Sequence, residues 1–280
     1  MNQKPNTSLK KAKSKRHCVN WHEAAICALK IDLRDYNHFL EFQSEYILGK
    51  NSYRIDLLII KKLNKQPIPK NIAHIFRTYN LFEIKGMGTF LSTDSYYKTI
   101  GYAGLFINQT GKKNQYTSLD ISLTFLSMHY PRRLMKHLQK ERNLIVEKYS
   151  PGVYYVIKEI FNIQIIVIKE LLPEEYLYLH CLTDKLHDSK LIAQLADDYK
   201  IHQDQDIYIK YLHQLTTANT RKKGDSLMVC EGLLNLFGTS SEEIIERTKQ
   251  EDAEYYLPQI DYLKDLLRKN NIPFDLPSRQ

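Results

Sequence analysis

Two apolar segments with the length of a strand carry charged residues where a buried strand normally has none. In the first, Asp56 directly precedes an apolar run at residues 57–60 that is bounded by polar residues. In the second, Glu83 and Lys85 flank Ile84. Because side chains alternate between the two faces of a strand, Glu83 and Lys85 point the same way and Ile84 points the other way. If the two segments are neighbouring strands, three charged groups can share one face of a sheet.

Such a charged set within an apolar sheet has two interpretations. A carboxylate in an apolar environment is costly unless it is paired with a cation or binds a metal. Two carboxylates and an ammonium group therefore form either a salt-bridge cluster or a metal site with a catalytic lysine.

The composition is that of a globular protein with a basic net charge. Apolar residues make up 43% and charged residues 26% of the 280 residues, which are ordinary fractions. No apolar run reaches the roughly 18 residues that span a bilayer, and no apolar segment follows the basic N-terminal residues as in a signal peptide. We therefore expect a cytoplasmic protein without membrane contact. The formal net charge of +8 suits a polyanionic partner but does not demand one.

The absence of several sequence motifs argues against common enzyme classes. The chain has no Gly-x-x-x-x-Gly-Lys-[Ser/Thr] phosphate loop, no Gly-x-Ser-x-Gly elbow, no His-Glu-x-x-His motif and no Rossmann glycine fingerprint. The four cysteines are scattered, so the sequence predicts neither a structural zinc site nor a disulfide framework.

The hydrophobic patterns divide the chain into three parts. Residues 1–16 are rich in lysine, contain no acid and are expected to be a disordered tail, residues 17–183 form the core, and residues 184–280 form a mostly helical C-terminal region. The patterns predict strands at 40–48, 53–62, 80–85, 120–129, 153–157, 163–168 and 177–182, and helices at 21–36, 71–78, 93–108 and 131–140. Within the third helix, Gly101 and Gly104 are expected to permit close packing on the sheet.

Several polar and basic residues are candidates for binding nucleic acid. Asp94, Lys98 and Tyr102 recur every four residues and lie on one side of their helix. That side is either a solvated face or a face that borders the acidic site. Three basic segments could contact phosphate, namely the 1–16 tail, a loop at 221–223 and the helix at 131–140 with its Arg132, Arg133 and Lys136.

The order of these elements resembles the PD-(D/E)XK nuclease superfamily, in particular its bacterial recombination-promoting nuclease and transposase-associated group. A helix with Glu23 precedes a hairpin with Asp56 on its second strand, and the third strand carries Glu83 and Lys85. The likeness covers roughly residues 17–170, and Ile55 stands where the name of the motif has proline. The most similar phrases are Trp21-His-Glu-Ala24, Ile55-Asp-Leu-Leu-Ile-Ile-Lys-Lys62, Ile75-Phe-Arg77 and Tyr96-Tyr-Lys-Thr-Ile-Gly-Tyr102.

This resemblance implies a fold, a cofactor and a reaction. The fold is α/β (α+β), with a restriction-endonuclease-like core, a central mixed sheet flanked by helices, and a helical C-terminal appendage. Asp56, Glu83 and the Ile84 carbonyl would ligate Mg2+ or Mn2+, Glu23 would complete the acidic site, and Lys85 would position or activate water. The implied reaction is magnesium-dependent phosphodiester hydrolysis of nucleic acid by a DNA endonuclease linked to recombination or mobile elements.

Two alternatives remain open from the sequence. The first is a catalytically inactive nuclease fold that binds nucleic acid or a protein partner, and the second is a structural salt-bridge cluster in an unrelated α/β protein. The presence of all of Glu23, Asp56, Glu83 and Lys85 favours an enzyme over a decayed copy. The oligomeric state is left open by the sequence, and a homo-oligomer is compatible with it.

Overall fold

A seven-stranded mixed sheet flanked by helices organises the chain. The computed structural model describes residues 19–49, 53–62, 67–109 and 116–219. Its strands are β1 (Leu40–Leu48), β2 (Tyr53–Lys61), β3 (Tyr79–Lys85), β4 (Ile121–Ser127), β5 (Ile145–Ser150), β6 (Val153–Ile157) and β7 (Asn162–Val167). Its α-helices are α1 (Trp21–Asp32), α2 (Thr93–Gln109), α3 (Arg132–Lys136), α4 (Leu177–His180), α5 (Ser189–His202) and α6 (Asp206–Asn219). The predicted α/β class with a central mixed sheet is confirmed.

The strand order is β1-β2-β3-β4-β7-β6-β5. The pairs β1–β2 and β2–β3 are antiparallel, the central pairs β3–β4 and β4–β7 are parallel, and β6 pairs antiparallel with β7 and β5. A parallel pair needs a crossover connection, and α2 supplies it between β3 and β4. The predicted hairpin of β1 and β2 is therefore present, and β3 lies beside β2 as predicted.

Helices cover both faces of the central strands. Every residue of β4 is buried, as expected for a parallel strand that is covered on both faces. On one face, Leu57 and Phe82 pack with α1, α4, α5 and α6. On the other face, Leu58 and Leu81 pack with α2 and α3. The charged residues of β2 and β3 thus interrupt strands that are otherwise apolar.

Several predicted elements differ from the structure. Residues 177–182 were expected to be a strand, but Leu177–His180 form α4. Asp32 accepts hydrogen bonds from the amides of Tyr178 and Leu179, which are the free donors of the first turn of that helix. The edge strand β5 was not predicted, because most of its residues are exposed and its sequence has no apolar alternation. The helix expected at 71–78 is a single 3₁₀ turn over Asn71–Ala73.

The glycines of α2 do not have the predicted role. Gly101 and Gly104 are exposed, and a Cβ added at either position would meet no atom of another element within 4 Å. The expectation that they permit close packing on the sheet is therefore wrong. The 1–16 tail, the 221–223 loop and the C-terminal region beyond residue 219 lie outside the described residues. Within the described part, no helix is both long enough and apolar enough to cross a membrane.

Candidate active site

The charged residues of β2 and β3 meet where the first turn of α1 and the middle of α2 approach the sheet. Leu57 of β2 pairs with Phe82 of β3 in antiparallel register, so Asp56 stands opposite Glu83. The Asp56 carboxylate accepts a hydrogen bond from the Ile84 amide, with Oδ2 2.6 Å from the nitrogen. Asp56 therefore reaches the backbone of β3 between the two charged residues of that strand.

Glu83 is a buried carboxylate with two ammonium partners. Its side chain is 3% exposed, and its Oε1 lies 2.7 Å from Lys85 Nζ and 2.8 Å from Lys98 Nζ. The Thr99 hydroxyl, which donates to the Ser95 carbonyl at 2.9 Å, lies 3.4 Å from the other oxygen. A buried charge is tolerated only with such compensation, and Glu83 has it from β3 and from α2.

Lys98 lies on the face of α2 that borders the acidic site. Burial acts to lower the pKa of Lys98, but the hydrogen bond and charge of Glu83, together with the charge of Asp56, outweigh burial and raise it. The ammonium group also lies 5.5 Å from the centre of the Tyr102 ring. Tyr102 in turn contacts Tyr53 at the start of β2. Lys98 is exposed and its ammonium group is paired with Glu83, so this face of α2 is in contact with solvent and also borders the acidic site.

His22 is the residue of α1 that contacts Asp56. Its Nε2 lies 3.1 Å from Asp56 Oδ2 and 3.0 Å from the Ile84 carbonyl oxygen. Because a carbonyl only accepts, this nitrogen carries the proton and donates. The hydrogen bond to Asp56 raises the pKa of His22 despite its burial, and Glu45, 3.7 Å from Nδ1, adds to the effect.

The resemblance implies a role for Glu23 in the site, but the structure places its neighbour His22 beside Asp56. The Glu23 carboxylate accepts hydrogen bonds from Gln214 of α6 at 3.3 Å and from Asn20 at 3.4 Å. Successive residues of a helix point about 100° apart, so His22 faces Asp56 while Glu23 faces α6. The sequence Trp21-His-Glu23 places a histidine beside the predicted glutamate. Only the orientation of the helix about its axis decides that His22, and not Glu23, faces Asp56.

Gly86 allows the start of α1 to approach the end of β3. A Cβ added at Gly86 would collide with the Cβ of Trp21. Only the absence of a side chain permits this approach, and the approach places His22 within hydrogen-bonding distance of Ile84. A small residue directly after Lys85 is therefore part of the architecture of the site.

The backbone of β1 is distorted beside Asp56. Ser44 pairs with Leu57 and Tyr46 with Ile55, so Glu45 stands opposite Asp56. Glu45 has a φ of +52°, a left-handed conformation that is uncommon for residues other than glycine. Strained backbone of this kind concentrates at functional sites, and this example borders the charged cluster.

The basic helix α3 begins at the same end of the sheet as the charged cluster. Ser127 at the end of β4 pairs with Lys85, and α3 starts a few residues later. Arg132, Arg133 and Lys136 are exposed. None of the three forms an ion pair with an acid among the described residues.

The oxygen atoms of the cluster are of the chemical types that ligate magnesium. Asp56 Oδ2 and the Ile84 carbonyl oxygen both face His22 Nε2. Magnesium prefers carboxylate and carbonyl oxygens, takes few protein ligands and keeps several waters. A cation bound by these oxygens and Glu83 would compete with His22, Lys85 and Lys98 for them. In the described part of the chain, no group of three or more His, Cys, Asp or Glu side chains is arranged to hold a metal ion.

Comparison with known proteins adds no relative. No protein-family model, no curated protein and no solved structure matches this chain.

Proposed function

We propose that this protein is a magnesium-dependent nuclease with a restriction-endonuclease-like core. It hydrolyses the phosphodiester bonds of nucleic acid as a DNA endonuclease linked to recombination or mobile elements. The observation that carries the proposal is the meeting of Asp56, Glu83, the Ile84 carbonyl and Lys85 at one end of β2 and β3. The two carboxylates and the carbonyl would hold the metal. When bound, the metal would acidify a water molecule and neutralise charge on the phosphate.

The protein side chains would supply charge and orientation around the phosphate. The Lys85 ammonium, 2.7 Å from Glu83, can donate hydrogen bonds to a phosphate oxygen or orient the attacking water. His22 fixes the orientation of the Asp56 carboxylate through its Nε2. Lys98 and Tyr102 border the cluster from α2 and would contact the nucleic acid.

A second candidate function follows from the balance of charge within the cluster. Both ammonium groups engage one oxygen of Glu83, and His22 engages Asp56. These contacts compensate the carboxylates without a metal, as a structural ion network does. They favour, as the alternative, a catalytically inactive nuclease fold that binds nucleic acid or a protein partner.

The nuclease proposal predicts metal-dependent cleavage of supercoiled plasmid DNA that depends on Asp56. Wild type should nick or linearise the plasmid with magnesium and not with EDTA, and Asp56→Ala should reduce the rate by about a hundredfold or more. Asp197→Ala is the matched control, because Asp197 is an exposed acid on α5 that pairs with Lys200. Wild type that binds DNA but never cuts it would favour the second candidate. Cleavage that persists in EDTA would contradict the metal mechanism.

The helix α3 should contribute sequence-independent contacts to phosphate. Replacing Arg132, Arg133 and Lys136 with alanine should weaken DNA binding at low salt, because each phosphate contact releases condensed counterions. The slope of the logarithm of the DNA-binding constant against the logarithm of the salt concentration should become shallower by about 2.7 if all three residues contact duplex phosphates. DNA binding in EDTA across a salt series measures this. The control variant replaces three exposed lysines elsewhere, Lys185, Lys190 and Lys200, and an equal loss there would deny α3 a special role.

A further inference from the structure

Exposed aromatic side chains gather at the end of the sheet that carries the charged cluster. Five phenylalanine and tyrosine side chains are exposed in the described part of the chain, and four of them lie at this end. Tyr53 begins β2, which runs antiparallel to β3, so it lies at the same end as Lys85. Phe90 follows β3, Tyr97 lies near the start of α2, and Tyr130 stands between β4 and α3. A single exposed ring is ordinary, but several beside one site indicate a contact surface.

Two rings are connected to the charged cluster by direct contacts. The Lys98 ammonium, 2.8 Å from Glu83 Oε1, also lies 5.5 Å from the centre of the Tyr102 ring. The Tyr102 ring contacts the Tyr53 ring, with 5.8 Å between their centres, and Tyr53 is 47% exposed. A continuous row of one cation and two rings therefore leads outward from the buried carboxylate.

Tyr97, the residue before Lys98, presents a ring whose position is fixed at its edge. Its hydroxyl group forms hydrogen bonds with His137 Nε2 at 2.7 Å and with Arg142 Nη1 at 3.1 Å. The Arg142 guanidinium lies 5.8 Å from the centre of the ring, and Tyr97 remains 40% exposed. Because the ring is already held in place, it loses little conformational freedom when a flat group stacks on it.

Positive charge accompanies the rings. Lys85 and Lys98 are partly exposed beside Glu83, and the exposed basic residues of α3 follow shortly after Tyr130. Asp94 is an acid on the same face of α2 as Lys98, but these cations outnumber it. Surfaces that bind single-stranded nucleic acid combine the same two features, because cations contact the phosphates and successive bases stack on aromatic rings.

Two other kinds of partner fit this surface less well. In a duplex, each base is stacked on its neighbours and only its edges reach the grooves, so exposed rings find no free base face along it. Protein interfaces are also rich in aromatic residues, but lysine is depleted in them. A surface that combines rings with lysines therefore favours unpaired bases.

We propose that Tyr53, Phe90, Tyr97, Lys98 and Tyr102 form an aromatic surface that binds the unpaired bases of single-stranded DNA. The surface directs the strand towards the charged cluster, so the DNA that is cleaved contains a single-stranded segment, and α3 contacts the duplex beside it. Because the surface borders that cluster, this choice of substrate rests on the proposed nuclease function. The binding of unpaired bases needs no metal and can be measured without cleavage.

The test is fluorescence anisotropy of the full chain with labelled DNA in EDTA. The probes are a single strand of about 20 nucleotides, the duplex that it forms with its complement, and an abasic strand of the same length. The abasic strand keeps the phosphates and lacks the bases, so it isolates the contribution of charge. Wild type should bind the single strand more tightly than the duplex, and about tenfold or more tightly than the abasic strand.

Variants of two exposed rings measure the stacking. Tyr53→Ala and Phe90→Ala should each weaken binding of the single strand about fivefold or more, with no change for the abasic strand. Tyr53→Phe keeps the ring and should bind as wild type does. Phe90→Ala should also melt as wild type does, because Phe90 is 77% exposed. Tyr149→Ala is the matched control, since that exposed ring stacks on Tyr155 on the face of the sheet opposite α2.

Two results would overturn the aromatic surface. One is wild type that binds the single strand no more tightly than the abasic strand, and the other is Tyr53→Ala and Phe90→Ala variants that bind it as wild type does. Plasmid cleavage in magnesium distinguishes this failure from that of the nuclease function. A protein that cuts DNA while both variants bind as wild type keeps the nuclease function and loses the aromatic surface. A protein that binds single strands through these rings and never cuts keeps the surface and loses the nuclease function.

Discussion

Replacing Lys85 with alanine should lower DNA cleavage by about a hundredfold or more while the melting temperature stays close to that of wild type. The ammonium group lies 2.7 Å from Glu83 and is 22% exposed, so it can reach a phosphate held beside the carboxylates. The fold should survive because Lys98, 2.8 Å from the same oxygen, remains as a counter-ion for Glu83. Plasmid cleavage and thermal melting of both proteins measure the two effects.

Removing both lysines separates the catalytic interpretation of the cluster from the structural one. In Lys85→Ala/Lys98→Ala, the buried Glu83 carboxylate loses both cations, at a cost of about 3–5 kcal/mol of unfolding free energy. If Asp56 and Glu83 form a metal site, magnesium should restore much of that stability, because binding to the folded state alone stabilises it. Melting in magnesium chloride and in sodium chloride of equal ionic strength isolates the metal effect. Lys200→Ala, which removes one exposed ion pair, should change little.

Three results together would assign the cluster a purely structural role. They are a Lys85→Ala variant that melts much earlier than wild type, a double variant that gains nothing from magnesium, and a wild type that never cuts DNA. The single Lys98→Ala variant completes a double-mutant cycle. Its coupling with Lys85→Ala measures how far the two lysines substitute for each other at Glu83.

Most strands could be predicted from the sequence, including the edge strand β1, and β5 at the other edge could not. The boundaries expected for β1 match the structure at residues 40–48, and those of β2 and β3 differ by one residue. These segments alternate or form apolar runs, and the apolar run of β2 is buried at residues 57–59. In contrast, most residues of β5 are exposed, and its sequence has neither an apolar run nor an apolar alternation from which a strand could be predicted.

The incorrect strand at 177–182 shows how a distant contact decides local structure. A short apolar run fits a buried strand and a buried helix equally well. Here the helical form is supported by Asp32, which accepts from the amides of Tyr178 and Leu179 at 3.2 and 2.9 Å. These residues are separated by more than a hundred positions in the chain, so a local pattern could not predict the contact.

The candidate site was predictable on the strands and not on the helix. Alternation along β3 is strict, so Glu83 and Lys85 could be assigned to one face and their ion pair is present. The first turn of α1 offers no comparable rule, because its orientation depends on the packing of Trp21 against Gly86. That packing places His22 against Asp56.

Asp32 should make the protein less stable as the pH rises from about 4 to about 7. Burial raises the pKa of this carboxyl group from 3.8 to about 7. The hydrogen bonds from the two backbone amides lower the pKa, but burial has the larger effect. Between these values the folded protein keeps a proton that the unfolded chain releases, so the free energy of unfolding falls with pH. The contribution is complete below about pH 4 and is lost as the pH passes 7. At about 1.4 kcal/mol per pKa unit, it is on the order of 4 kcal/mol.

Urea unfolding of wild type and Asp32→Asn at a series of pH values measures this contribution. The asparagine does not titrate and keeps one oxygen acceptor for the amides at the start of α4. The stability of wild type relative to the variant should therefore fall across the window and level off above about pH 7. Asp197→Asn, which changes an exposed acid, should show no such trend. A constant difference between wild type and Asp32→Asn would mean that Asp32 stays ionised, with the amides of Tyr178 and Leu179 offsetting its burial.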